Sequence, residues 1–305
     1  MPIYLPVAGM SLDSLLLIGM GLAVGVLSGM FGIGGGFVTT PLLIFLGIPP
    51  VVAVGTGTSQ VVASSVSGAL GHWRRGNVDV QMGLLLVSGG LVGSLVGVSF
   101  QRLLKAVGQL DLFIALTYVV VLGVVGGLML IESVGTLRKG IKIKATSMRR
   151  GGQHTWIQGL PLKRRFRVAR LYISAIPAVL LGIAVGWLTA VIGVGGGFVL
   201  VPALIYALRV PTRVAIGTSM FQIVFIAGFT TVLQADFNRS VDIVLGLPLM
   251  LGGVIGAQYG VNLGQRLNAE QLRILLALLV IAVAVRMAIG IVVHPAELYD
   301  LDTRQ

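Results

Sequence analysis

One heptapeptide occurs twice in this chain, and it constrains the fold more than any other feature. Gly32-Ile33-Gly34-Gly35-Gly36-Phe37-Val38 returns as Gly193-Val194-Gly195-Gly196-Gly197-Phe198-Val199, and Pro41 returns as Pro202. The correspondence continues downstream: Val52-Ala53-Val54-Gly55-Thr56 with Val214-Ala215-Ile216-Gly217-Thr218, Gln60 with Gln222, Val78-Asp79 with Val241-Asp242, and Gly89-Gly90 with Gly252-Gly253. A chain with such a repeat folds as two copies of one unit. The sequence divides accordingly into a first repeat over 1–131, a basic linker over 132–170 and a second repeat over 171–305.

The medium in which these copies fold follows from composition. Hydrophobic residues make up 56% of the chain and charged residues 10%, against about 25% charged in soluble domains. Apolar runs over Leu12–Met30, Val80–Phe100, Leu112–Ile131, Leu171–Ile192 and Leu272–Val293 each approach the roughly 20 residues that cross a bilayer as a helix. The expected fold is an all-α, multi-pass integral membrane protein. Met1–Met10 carries no Lys or Arg, so the first run reads as a retained span rather than a signal peptide.

Several chemistries find no support. There is no Cys, and the three His residues, at 72, 154 and 294, lie in separate segments, so neither a metal site nor a cofactor is expected. The glycine break lacks the Gly-Lys-Ser/Thr ending of a P-loop, and neither GxSxG nor HExxH occurs, which argues against an enzyme. Half of the 22 basic residues sit between Arg138 and Arg170. Without aromatic interleaving, that block reads as a topological signal holding the linker in the cytoplasm, with anionic lipid as a compatible contact and nucleic acid not expected.

Each glycine break precedes a short apolar segment, Phe37–Ile48 or Phe198–Leu208. At 1.5 Å per residue the first is roughly 18 Å long, short of the ~30 Å hydrocarbon core, so each half contains a broken or re-entrant helix. Three further spans follow in each half. An odd number of passes would make the halves inverted repeats. With the linker inside, inversion places Arg74, Arg75, Arg209, Arg213, Arg266 and Arg273 in the cytoplasm, and leaves Arg102, Lys105, Arg239 and the acidic tail (Glu297, Asp300, Asp302) outside. A parallel arrangement strands more arginines outside, which the positive-inside tendency disfavours.

The candidate site follows from the same breaks. In hydrocarbon every backbone N–H needs a partner, so consecutive glycines belong where protein or a watery cavity surrounds them. Half-helices starting at Phe37 and Phe198 would aim free N–H groups and a positive dipole end at an anion; close helix packing is the competing explanation. The substrate-binding candidates are Gly34, Gly35, Gly36, Phe37, Gly195, Gly196, Gly197 and Phe198, joined by the polar residues Thr56, Ser59, Gln60, Thr218, Ser219 and Gln222. Hydroxyls and amides donate to an oxyanion at less burial cost than a charge, though they equally bond to neighbouring helix carbonyls. Thr39 and Thr40 rank lower, because Leu200 and Val201 replace them. Asp79 and Asp242 read as helix N-caps, Arg286 as a snorkelling, paired or anion-attracting residue, and His72 with Trp73 as an interfacial anchor.

These residues give the chain a family likeness. The elements GIGGGFVTTP and GVGGGFVLVP, followed by AVGTGTS at Ala53–Ser59 and AIGTS at Ala215–Ser219, resemble the TauE/SafE group of sulfite exporters and sulfonate permeases over roughly 15–131 and 171–293. The resemblance implies secondary transport of sulfite, an organosulfonate or a related sulfur-containing or carboxylate anion across the cytoplasmic membrane. A coupling proton is the first candidate for the energy source, and a passive anion channel is the alternative. The first half departs from the pattern in having Gly57 inserted between Thr56 and Thr58, which leaves open which threonine matches Thr218. Substrate identity, direction and oligomeric state are not legible in the sequence.

Overall fold

The apolar runs fold as helices, and short polar or glycine-rich stretches end them. The computed structural model describes residues 2–138, 163–166, 168–169, 171–267 and 269–293. The first half comprises α1 (Ser14–Phe31), α2 (Gly36–Phe45), α3 (Pro50–Trp73), α4 (Val80–Ala106) and α5 (Leu110–Arg138). The second repeats it as α6 (Ala175–Ile192), α7 (Gly197–Tyr206), α8 (Thr212–Leu233), α9 (Ile243–Gly264) and α10 (Ala269–Val293), with a π-turn over Gln234–Asn238 after α8. Among the described residues six helices are long and apolar enough to cross a membrane, and exposed leucines and valines such as Leu112, Leu116, Val120 and Val124 on α5 form a lipid-facing surface. The chain is an all-α, multi-pass membrane protein.

A β-hairpin precedes the first helix of each half, an element not foreseen from the sequence. Strands β1 (Pro2–Leu5) and β2 (Met10–Asp13) pair antiparallel, as do β3 (Lys163–Phe166) and β4 (Leu171–Ser174). The runs beginning at Leu12 and Leu171 are therefore not helical throughout. Each changes from strand to helix at a capping side chain, where Asp13 accepts from the Leu15 N–H at 3.0 Å and Ser174 from the Ile176 N–H at 3.3 Å. As folded, the second copy of the unit starts inside the basic linker.

Glycines set the packing between halves. In lipid there is little hydrophobic drive between helices, and small residues that let backbones approach supply contact instead. Gly21, Gly25 and Gly29 of α1 lie against the backbones of Leu249, Gly253 and Ala257 of α9; Gly89, Gly93 and Gly97 of α4 lie likewise against Val179, Ile183 and Trp187 of α6. Both registers advance together, so each pair runs parallel, and each joins the first helix of one half to the fourth of the other. Parallel α3–α9 and α8–α4 pairs extend this exchange: Asp242 N–H donates to Thr56 Oγ1, Ser67 Oγ to the Val254 carbonyl, Asp79 N–H to Thr218 Oγ1 and Thr230 Oγ1 to Ser94 Oγ. The equivalent helices α3 and α8 pack oppositely. Gly55 meets Ser240 beyond the end of α8, whereas Gly68 meets Met220 and His72 meets Gly217 near its start.

The hairpins close the two ends of this arrangement. Asp242 caps α9 through Val244 and Leu245 N–H (3.0 and 3.2 Å), while its other oxygen accepts from Val7 and Ala8 N–H in the first hairpin (2.9 and 3.4 Å). Asp79 caps α4 through Met82 N–H (3.2 Å) and accepts from Val168 and Ala169 N–H in the second hairpin (both 3.1 Å). The two aspartates are N-caps as expected, and each is also the seat of a hairpin.

Candidate functional site

The two glycine breaks meet at the centre of the molecule. Helix α1 ends at Gly32 (φ 73°) and α6 at Gly193 (φ 68°), and the next turns need positive φ again at Gly34, Gly35, Gly195 and Gly196, conformations that a residue with a Cβ adopts only at a cost. The short helices start at Gly36 and Gly197, one residue before the predicted Phe37 and Phe198. Gly36 and Gly197 face a different demand: a β-carbon on Gly36 would overlap the Gly193 carbonyl, and one on Gly197 would lie 2.6 Å from Ile33 Cα. Each break is thus threaded against the turn of the other. Close packing accounts for Gly36 and Gly197, and the sharp turn accounts for the glycines just before them.

Around this crossing the equivalent residues pair. Phe37 and Phe198 are fully buried and stack with centroids 6.3 Å apart and an interplanar angle of 20°. Val61 and Ile223 both lie over the breaks: a β-carbon on Gly34 would sit 2.8 and 3.2 Å from them, and one on Gly195 2.7 and 3.2 Å. Tyr118, from α5, donates its hydroxyl to the Ile192 carbonyl at 2.6 Å. The first intrahelical bonds of the short helices are those of Val38 and Thr39 to the Gly35 carbonyl and of Val199 and Leu200 to the Gly196 carbonyl. The preceding N–H groups, those of Gly36, Phe37, Gly197 and Phe198, come before the helical ladder, and neither helix carries a side-chain cap.

The predicted polar residues divide into two sets. Thr56 and Thr218 are occupied in joining the halves: Thr56 Oγ1 accepts from Asp242 N–H at 2.9 Å and Thr218 Oγ1 from Asp79 N–H at 3.0 Å. This shared role identifies Thr56 as the counterpart of Thr218, so Gly57 is not an insertion but stands where Ser219 stands. Ser59 donates to the Thr56 carbonyl at 2.6 Å; Ser219 lies 2.7 Å from the Gly32 carbonyl and 2.8 Å from that of Ile216.

Gln60 and Gln222 belong to the other set. Both are completely buried; the Gln60 amide nitrogen and both amide atoms of Gln222 have no hydrogen-bond partner. An unpaired buried amide is costly. These adjoin Val61 and Ile223, the residues lying on the breaks. Thr39, ranked low from sequence, donates to Gln60 Oε1 at 3.1 Å and so turns the amide nitrogen away from itself. Thr40 and Ser65 hydroxyls are also buried and unpaired, and Ser65 Oγ would be 3.4 Å from a β-carbon on Gly34. The sequence contained no repeat signal for these, since Leu200, Val201 and Ala227 replace Thr39, Thr40 and Ser65 in the second half.

A further polar cluster has no mark in the sequence. Gln101 of α4 donates to the Val191 carbonyl at 2.9 Å, and Gln234 donates to Gln101 Oε1 and the Ala190 carbonyl at 2.6 and 3.1 Å. Asn238 completes it, donating to Gln234 Oε1 at 2.7 Å. The cluster ties the C-terminal carbonyls of α6 to two other helices. Arg286, by contrast, is exposed and lies over the Phe45 ring at 4.4 Å, away from the centre.

Paired broken helices, buried polar groups at their crossing and a lipid-facing exterior define a membrane transporter. The match to known proteins specifies which kind: the chain belongs to the family described as "Sulfite exporter TauE/SafE", whose model matches residues 17–287. A "Probable membrane transporter protein" of Xylella fastidiosa (strain 9a5c) is 32% identical over 281 residues, covering 90% of this chain and 95% of the relative. "Probable membrane transporter protein YjnA" of Bacillus subtilis (strain 168) is 26% identical, covering 88% and 97%. "Sulfite exporter TauE/SafE family protein 3" of Arabidopsis thaliana is 28% identical over 123 residues, covering 39% of this chain and 26% of the relative. No solved structure matches.

Proposed function

We propose that this chain is a secondary transporter of a small oxyanion, a sulfite, organosulfonate or related carboxylate, working by alternating access between two inverted halves in the cytoplasmic membrane. The observations that carry the proposal are the meeting of two uncapped helix N-termini and, on the two helices whose Val61 and Ile223 lie over them, the buried amides of Gln60, whose nitrogen has no partner, and of Gln222, neither of whose amide atoms has one. Helix N-termini favour negative charge, and neutral N–H donors recognise an oxyanion without a buried cation. Gln60, Gln222 and the N–H groups of Gly34–Phe37 and Gly195–Phe198 bind it. Thr40 and Ser65 make the site asymmetric.

Inversion is supported by the antiparallel packing of α3 on α8. It gathers Arg74, Arg75, Arg209, Arg213 and Arg266 at one end and Arg102, Lys105 and Arg239 at the other, which matches the positive-inside tendency with the first end cytoplasmic. A carrier is favoured over a pore because the Phe37–Phe198 stack and the Val61–Ile223 pair fill the crossing; passage then requires the halves to move. Purified protein in liposomes tests this. Saturable sulfite, isethionate or acetate uptake, accelerated by the same anion inside, is expected. Ohmic, non-saturating current would replace the carrier by a channel, and flux of cations alone would end the anion reading.

A further inference from the structure

The two walls of the crossing are chemically unequal, and the repeat shows it position by position. In the first half Thr39 and Thr40 of α2 and Ser64 and Ser65 of α3 border the break; at the matching places the second half has Leu200, Val201, Ile226 and Ala227. All of these side chains are buried. Thr39 Oγ1 lies 3.3 Å from the Gly35 carbonyl and Ser64 Oγ 3.2 Å from that of Gly34, so these two hydroxyls brace the turn. Thr40 and Ser65 brace nothing. Their hydroxyls have no partner, and Ser65 Oγ would lie 3.4 Å from a β-carbon on Gly34.

The second wall is aliphatic. Ala227 joins Val61 and Ile223 in one apolar cluster, and Leu200 and Val201 belong to the buried core that includes Phe198. Ile226 fills the space against Gly90, where the first half holds Ser64 and the Gln60 amide against Gly253. Thr189, which does stand beside Gly196, spends its hydroxyl on the Val185 carbonyl of its own helix at 2.8 Å. The long helices follow the same division: Ser219 of α8 reaches the Gly32 carbonyl at the first break, and Gly57, its counterpart on α3, brings no hydroxyl to the second. An oxyanion at the crossing meets spare hydroxyls on one side and hydrocarbon on the other.

We propose that the cargo is an amphipathic monoanion, a short alkanesulfonate or alkyl carboxylate, whose head lies toward the hydroxyls of the first break and whose unsubstituted tail lies along Leu200, Val201 and Ala227. The inference rests on the oxyanion-carrier reading above and adds selectivity for the tail to it. Thr40 and Ser65 donate to oxygens of the head. A hydroxyl or amine on the tail would lose its water against the second wall and gain no partner, which costs more than the contact of an extra methylene returns. Each methylene moved from water to that wall strengthens binding about fourfold. A compact ion such as sulfite leaves the second wall unused.

The test measures half-saturating concentrations for uptake of three anions of equal charge into proteoliposomes: methanesulfonate, propanesulfonate, and isethionate, which differs from propanesulfonate in a hydroxyl for the terminal methyl. Wild type is expected to take propanesulfonate at a concentration about tenfold below methanesulfonate and at least tenfold below isethionate. Val201→Thr and Ala227→Ser give the second wall the side chains of the first, and each should cut the preference for propanesulfonate over isethionate at least fivefold. Saturable uptake of any of the three reports that a variant folds; should neither variant fold, the wild-type comparison decides alone. Equal half-saturation by propanesulfonate and isethionate in the wild type overturns the proposal and leaves the carrier reading standing. A preference that both folded variants keep in full also overturns it. Absence of saturable uptake for all three sulfonates, sulfite and acetate removes the carrier reading itself.

Discussion

Replacing Thr56 and Thr218 by valine separates structural from substrate-binding threonines. Valine keeps the shape but removes the acceptor, leaving the N–H of Asp242 or Asp79 buried without the partner it has now at 2.9 or 3.0 Å. A buried donor left unsatisfied costs about 1–3 kcal/mol. The two sites lie at opposite ends of the bundle, one at the start of α9 and the other at the start of α4, so their effects should add. Thr56→Val and Thr218→Val are each expected to cost about 1–3 kcal/mol, and the double variant roughly 2–6 kcal/mol. Thermal unfolding in one detergent should show each single variant lower by several degrees and the double by close to the sum. The concentration for half-maximal anion uptake should stay within about twofold of wild type, since about 0.4 kcal/mol or less of binding is lost. Normal stability with a tenfold rise in that concentration would refute the reasoning and return both hydroxyls to the substrate.

Three other outcomes follow from the packing. Gly25→Ala, which drives a methyl into the Gly253 carbonyl, should destabilise by about 1–3 kcal/mol, whereas Gly19→Ala on the same helix meets nothing within 4 Å and should be neutral or slightly stabilising; thermal unfolding compares them. Asp242→Ala removes the α9 cap and the seat of the first hairpin together, so protease cleavage within Pro6–Gly9 should quicken several-fold while the helical circular dichroism is retained. Gln222→Leu replaces an unpaired buried amide by an apolar side chain of similar size and should leave thermal stability unchanged or raised, with transport lost.

Much of this fold could be read from the sequence, because lipid demands long apolar runs and the repeat marks equivalent positions. The glycine breaks, the two short helices and the caps at Asp79 and Asp242 fall where that logic puts them. The hairpins did not show, although Val7-Ala8 returns as Val168-Ala169 at the spacing of the repeat: a two-residue match among otherwise different residues carries little signal, and the carboxylate in the opposite half that each dipeptide holds is visible only after folding. Thr56 and Thr218 looked like Gln60 and Gln222, polar groups in apolar helix. Which hydroxyl or amide is already engaged depends on a neighbour far away in sequence: Asp242 is supplied by the second half to Thr56, and Asp79 by the first half to Thr218. His72 misled for a related reason. Next to Trp73, Arg74 and Arg75 it reads as an interfacial anchor, and its burial against Gly217 emerges only when α3 packs on α8. Glu297, Asp300 and Asp302 in the acidic tail, together with His154 and His294, lie outside the described residues.

The central claim is that an oxyanion binds where the two breaks cross, against the amides of Gln60 and Gln222. Calorimetric titration of sulfite and isethionate into purified wild type, Gln60→Leu, Gln222→Leu and the double variant tests it most directly. A hydrogen bond to a charged group contributes about 1.5–3 kcal/mol, so each single variant should bind roughly 10- to 100-fold more weakly and the double should show no measurable heat. Wild-type affinity in a well-folded double variant would contradict the account and move the anion away from the crossing.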